Sequence, residues 1–181
     1  MTFDFKSASR EELRHKYNAI AKEIGDDQFF TKKELHHLPS VLSEGEQVLA
    51  FTSGVMAGNT WLITLTDRRV IFLDKGMIYG LKQASIDLDK VNAVTGRTGL
   101  FLGSIIIEDG AFSREIRNVW KRTVVAFTNK MRDAMEARKV RQGGATQPLD
   151  IATQLEKLAN LRDRRILTEA EFTTQKQKLL N

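Results

Sequence analysis

Residues 59–74 read NTWLITLTDRRVIFLD, two runs rich in β-branched and aromatic residues, Asn59 to Leu65 and Arg69 to Asp74, hinged on Thr66-Asp67-Arg68. This is the grammar of a hairpin, because such residues fit a pleated surface while aspartate and threonine bond to their own backbone in turns. The pattern repeats in both directions. Gln47 to Gly54 precedes it, after the turn Ser43-Glu44-Gly45, and Tyr79 to Ile86, Val91 to Arg97, Phe101 to Glu108 and Ala111 to Arg117 follow. Their separators are Asp74-Lys75-Gly76, Arg97-Thr98-Gly99 and Asp109-Gly110, the last a favoured two-residue hairpin dipeptide. Seven short strands on tight turns predict an antiparallel meander. At the seventh, Ser113 also permits a helix opening at Arg114; the strand is the reading kept. Trp120, Val124, Phe127, Met131 and Ala134 then step at helical spacing, which predicts a helix lying on the open end of a barrel.

The flanks read as helices. Ser9 with Glu12 forms a capping box, Leu13, Tyr17, Ile20 and Ile24 share a face, and Gly25 stops the helix. Thr31 with Glu34 reads as a second box, with Phe30 and Leu35 as its hydrophobic staple, and Pro39 marks a boundary. After the linker Gln142-Gly143-Gly144-Ala145 and the second proline, Pro148, Asp150 caps a helix carrying Ile151, Leu155, Leu158 and Leu161. Thr168 with Glu171 opens another, with Leu167 and Phe172 as staple. The two ends align in part, Thr31 on Thr168 and Glu34 on Glu171; either they share one hairpin or each merely uses the common grammar of capped helices.

Three segments carry a resemblance: Leu42-Ser43-Glu44-Gly45-Glu46, Leu65-Thr66-Asp67-Arg68-Arg69-Val70-Ile71-Phe72, and Ile86-Asp87-Leu88-Asp89-Lys90-Val91 before a glycine-punctuated strand pair. In this order they resemble the bacterial pleckstrin-homology-like (PH-like) domain family, over roughly half the chain. The tail, through Leu155, Leu158, Leu161, Ile166, Leu167, Thr168, Glu171, Phe172, Lys176 and Leu179, is similar to the short C-terminal domain called SHOCT, with Arg165 standing where that family has a small residue. The resemblances imply an α+β protein: a PH-like antiparallel seven-strand barrel capped by a C-terminal helix, with flanking helical hairpins. The expected division is 1–40 helical, 41–139 PH-like, 140–148 linker and 149–181 hairpin.

Composition narrows the chemistry. The 181 residues include no cysteine, which removes disulfides, thiolate nucleophiles and cysteine zinc sites and fits a cytoplasmic address. No apolar run approaches a membrane span, and Met1 to Arg14 is polar, so no signal peptide is expected. The 28 basic residues are interspersed with 23 acidic ones, a mild bias of +5. His15, His36 and His37 have no ligand spacing, no carboxylate pair asks for a catalytic role, and neither a phosphate-cradling loop nor a nucleophile elbow occurs. No enzyme, metal or cofactor is expected.

What remains is binding. A phosphoinositide-holding PH domain, by resemblance, places basic residues around the loop between its first two strands; here that loop, Gly54-Val55-Met56-Ala57-Gly58, has none, and specific phosphoinositide binding is not expected. A hairpin of about thirty residues buries too little of its own apolar stripe. A protein-interaction or scaffolding module that self-associates is therefore expected, with contacts through Leu155, Leu158, Ile166, Phe172 and Leu179. The alternative is peripheral binding of anionic membrane or nucleic acid through Arg114, Arg117, Lys121 and Arg122, where two cations oppose a helix dipole. Phe101, Phe112, Trp120 and Phe127 fall at positions that read as core, leaving no stacking aromatics beside that cluster.

Overall fold

The computed structural model describes residues 3–27, 31–75, 80–143, 151–164 and 167–180, arranged as two compact units, Met1–Lys139 and Val140–Asn181. In the first, helices α1 (Arg10–Ile24) and α2 (Lys32–Val41) precede seven strands: β1 (Val48–Met56), β2 (Asn59–Thr66), β3 (Arg69–Lys75), β4 (Leu81–Asp87), β5 (Ala93–Thr98), β6 (Leu102–Glu108) and β7 (Ser113–Trp120). Helix α3 (Lys121–Gly143) follows. Every strand pairs antiparallel, in the order β4-β3-β2-β1-β7-β6-β5, an open barrel whose two edges are β4 and β5. This is the PH-like α+β architecture, and residues 113–117 are strand.

The core is filled from both sides. Phe51, Ile63, Leu65, Ile71, Phe72 and Ile105 are buried along the strands, and Val124, Phe127, Met131 and Ala134 of α3 join them. Gly96 lets α3 come close to β5, since a Cβ there would lie 2.9 Å from Val124 Cγ1. α1 belongs to the same core. Its Tyr17 ring stacks on Phe5 and meets Phe51 edge to face, with centroids 6.1 and 5.9 Å apart. Just past α1, the buried Asp26 carboxylate accepts hydrogen bonds from the Thr52 hydroxyl and the Ser53 amide, both at 3.1 Å, which ties the helix end to β1.

The segments that carry Glu46 and Arg69 meet. The Glu46 carboxylate, fully buried, accepts from Arg69 Nε at 2.9 Å and Nη2 at 2.8 Å, from the Ser43 amide at 2.7 Å and from the Thr66 hydroxyl at 2.8 Å. Burial pushes this carboxyl up, but the Arg69, Ser43 and Thr66 hydrogen bonds outweigh it and hold the group below the usual carboxylate range. Arg69 also donates to the Val41 carbonyl, so one ion pair pins α2, the lead-in turn and the β2–β3 hairpin together.

Several local expectations need correction. Ser9 makes its capping box, but Thr31 makes no side-chain cap bond; its hydroxyl is buried without a partner among the described residues, so Thr31 and Thr168 are not equivalent caps. Phe30 lies outside the described residues. Pro39 sits inside α2 and not at a boundary; the amide it lacks would have bonded one turn back, and the helix ends two residues later. The β1–β2 connection is only Ala57-Gly58, both at positive φ (50° and 81°), so Gly54 to Met56 are strand, not loop. At Asp109-Gly110 the turn has four residues, because Asp109 Oδ1 accepts from the Phe112 amide at 2.8 Å and holds the chain open to Ser113. Gln142 and Gly143 end α3; residues 144–150, with Pro148, lie outside the described residues.

The second unit holds α4 (Ile151–Asp163) and α5 (Glu169–Leu180). Thr168 and Glu171 form the expected box, with the Thr168 amide on Glu171 Oε2 at 2.9 Å and the Glu171 amide on Thr168 Oγ1 at 3.3 Å. Among the described residues no helix is long and apolar enough to cross a membrane.

Candidate interaction surfaces

The sequence Thr98-Gly99-Leu100-Phe101-Leu102-Gly103 builds the β5–β6 tip. Thr98 pairs with Gly103, and the Gly99 amide closes the turn on the Leu102 carbonyl at 2.7 Å. Gly103 is obligatory, because a Cβ there would sit 2.1 Å from the Arg97 carbonyl oxygen. The large side chains of the tip stand in solvent. Leu100 is 81% and Phe101 72% exposed.

The neighbouring strand adds to this surface through a bulge. Gly103 faces Val119 and Ile105 faces Ile116, so Arg117 and Asn118 together oppose Ser104, with Asn118 at φ 58°. The extra residue resets the alternation: Ile116 and Val119 both point inward, and Trp120 turns out, 48% exposed. Helical spacing had assigned Trp120 to the core stripe of α3; it is the last residue of β7, and only Phe127 of the four aromatics assigned to the core is buried. Phe112, at the opposite hairpin end, is exposed as well.

The Lys121 amide donates to the Phe101 carbonyl at 2.9 Å, which fixes the start of α3 beside the tip. Lys121, Arg122 and the half-exposed Val125 border a shallow depression with Leu100, Phe101 and Trp120, and Gly25 forms its far wall. Arg122 lies over Gly25, where an added Cβ would meet its Cδ at 2.9 Å, and the Thr123 hydroxyl donates to the Gly25 carbonyl at 2.8 Å. Arg122, one of the two cations that oppose the α3 dipole, thus stands at the C-terminal end of α1, where that helix's dipole favours positive charge.

The four cations expected to act together are not one cluster. Arg114 is about 20 Å along β7 from Trp120 at strand rise. It pairs with Asp109 at 2.6 Å, a hydrogen bond that holds the Asp109 carboxyl below its usual range. Arg117 pairs with Glu115 at 2.7 Å. Only Lys121 and Arg122 adjoin. Between α1 and α2 a cavity of about 400 Å³ has walls of Leu13, Tyr17 and Leu35 and a rim of Arg10, Arg14 and Lys32. Among the described residues no group of histidines and carboxylates has the arrangement of a metal site.

In the tail, Leu155, Leu158 and Phe172 are each only partly buried, and the Arg162 guanidinium lies 4.8 Å over the Phe172 ring. Ile166 and the Leu179 side chain lie outside the described residues. The sequence exposes the tail's apolar row directly; the barrel's patch is hidden in it, because the bulge at Asn118 is invisible to any fixed period.

No curated protein matches the chain. Among solved structures, the crystal structure of a pleckstrin homology domain from Shewanella amazonensis SB2B is similar, at 18% identity and a TM-score of 0.39, covering 59% of this chain and 87% of that one. The family model described as bacterial PH domain matches residues 42–133, from the turn that carries Glu46 into α3. That match spans just over half of the 181 residues, and the chain belongs to the bacterial PH domain family.

Proposed function

We propose that the protein is a non-catalytic, cytoplasmic scaffolding module that self-associates through its SHOCT-like C-terminal hairpin. The observation that carries this reading is the partial burial of Leu155, Leu158 and Phe172 in a unit that, past the end of α3, holds two short helices among the described residues. A two-helix unit of about forty residues gains little from its own core, and apolar rows of this kind are covered by association. Ile166 and Leu179 extend the same row in sequence. The family supports the coarser part: PH-like domains commonly mediate interactions.

The alternative, a single anion-binding cluster of Arg114, Arg117, Lys121 and Arg122 for nucleic acid or membrane, has less support, since the first two are engaged by carboxylates of their own hairpin. Light scattering of the full chain with Leu158→Asp tests the self-association reading. A fall in mass supports it; an unchanged oligomer, or a monomeric wild type, rejects it.

A further inference from the structure

We propose that the barrel end formed by Leu100, Phe101, Trp120 and Val125, with Lys121 and Arg122 beside them, attaches peripherally to an anionic lipid surface. Isolated exposed apolar side chains are ordinary, but a contiguous group that includes Trp and Phe marks a contact surface. Leu100, Phe101, Trp120 and Val125 are between 48% and 81% exposed and all border the same depression.

Four features choose lipid as the occupant. The tip arrives with much of its backbone already satisfied, the Gly99 amide on Leu102 and the Phe101 carbonyl on Lys121, which lowers the cost of entering an apolar phase. It is closed by its own pairing, Thr98 on Gly103 and the Gly99 amide on the Leu102 carbonyl, so it has little left to order on contact. Trp and Phe over a pair of cations is the composition that settles at a headgroup boundary. Among the described residues no acidic one lines the depression, so a second copy docked face to face would bring Lys121 and Arg122 against their own kind, whereas anionic headgroups match both. Its residues all belong to the unit Met1–Lys139 and none of them is assigned to self-association, so it is tested independently of that reading.

The test uses the full chain with vesicles of pure phosphatidylglycerol or pure phosphatidylcholine. Expected are cosedimentation with the former only, its loss at high salt, and a blue shift of tryptophan emission that disappears in Trp120→Phe while binding persists, because Trp61 is already buried. Leu100→Ser with Phe101→Ser weakens partitioning at least about tenfold at unchanged circular dichroism, and Lys121→Gln weakens it about fivefold. The proposal is overturned if the Leu100/Phe101 variant binds like wild type, which leaves only general attraction to a basic protein. It is overturned too if phosphatidylglycerol is not bound, if duplex DNA is bound as tightly and without regard to Leu100 and Phe101, or if that variant lowers the solution mass, which makes the patch a contact between copies.

Discussion

Replacing Glu46 by Gln keeps its shape and removes its charge, and the hydrogen bonds around it set the cost. Oε1 accepts from Arg69 Nε and the Thr66 hydroxyl, and Oε2 from Arg69 Nη2 and the Ser43 amide. Whichever oxygen becomes an amide NH2 turns a donor toward two donors. The Thr66 hydroxyl can rotate away; an Arg69 N–H cannot. Breaking a buried pair this way costs about 3–5 kcal/mol. Arg69 keeps 20% of its side chain in solvent, which places the expected loss near the lower end, about 3 kcal/mol. At this size that corresponds to a fall in Tm of about 6–12 °C. Urea and thermal unfolding followed by tryptophan fluorescence report on the unit concerned, because Trp61 and Trp120 both lie in it. An Arg69→Met cycle isolates the coupling. A Glu46→Gln variant within about 1 kcal/mol of wild type, at an unchanged m-value, refutes the idea that this pair holds α2 and the first hairpin together.

The same carboxylate makes stability pH-dependent. Its folded pKa is depressed below the unfolded value of about 4.3, so its contribution is complete above that value and disappears as pH falls through the folded pKa. Wild type and Glu46→Gln are expected to converge in acid and diverge toward neutrality in paired melts. Gly54→Ala is expected to cost about 3 kcal/mol, because a Cβ there would stand 2.2 Å from Ile116 Cγ2 where β1 passes β7. Gly58→Ala, in open space at φ 81°, costs about 1 kcal/mol from backbone strain alone; denaturant midpoints that reverse this order contradict the packing. Ser9→Ala, which removes a working cap, is expected to destabilise by about 1 kcal/mol. Thr31→Val is expected to be neutral or stabilising, since the lost hydroxyl had no partner among the described residues.

The strands were legible because turn chemistry punctuates them: Ser43-Glu44-Gly45, Thr66-Asp67-Arg68 and Arg97-Thr98-Gly99 place boundaries within a residue or two of β1, β3 and β6. The Glu46–Arg69 pair was not, although both residues stand in the segments that carry the family resemblance. Nothing local joins positions 23 apart until the hairpin folds back on the lead-in turn. The aromatic patch is not legible in the sequence, for a definite reason. Ile116, Val119 and Trp120 fit a helical period as well as a bulged strand, and Asn118 decides between them by a backbone angle. The basic residues of 114–122 were close in sequence, but an extended strand separates by about 3.3 Å per residue what a helix would have gathered.

The central claim, assembly through the tail, is tested most directly by the solution mass of the full chain beside one truncated after Arg141, by light scattering over a range of concentrations. The truncation retains the whole unit Met1–Lys139 with its core. An oligomeric full chain and a monomeric truncation are the expected pair. Equal states for both, whether monomer or oligomer, contradict the tail as the assembly device.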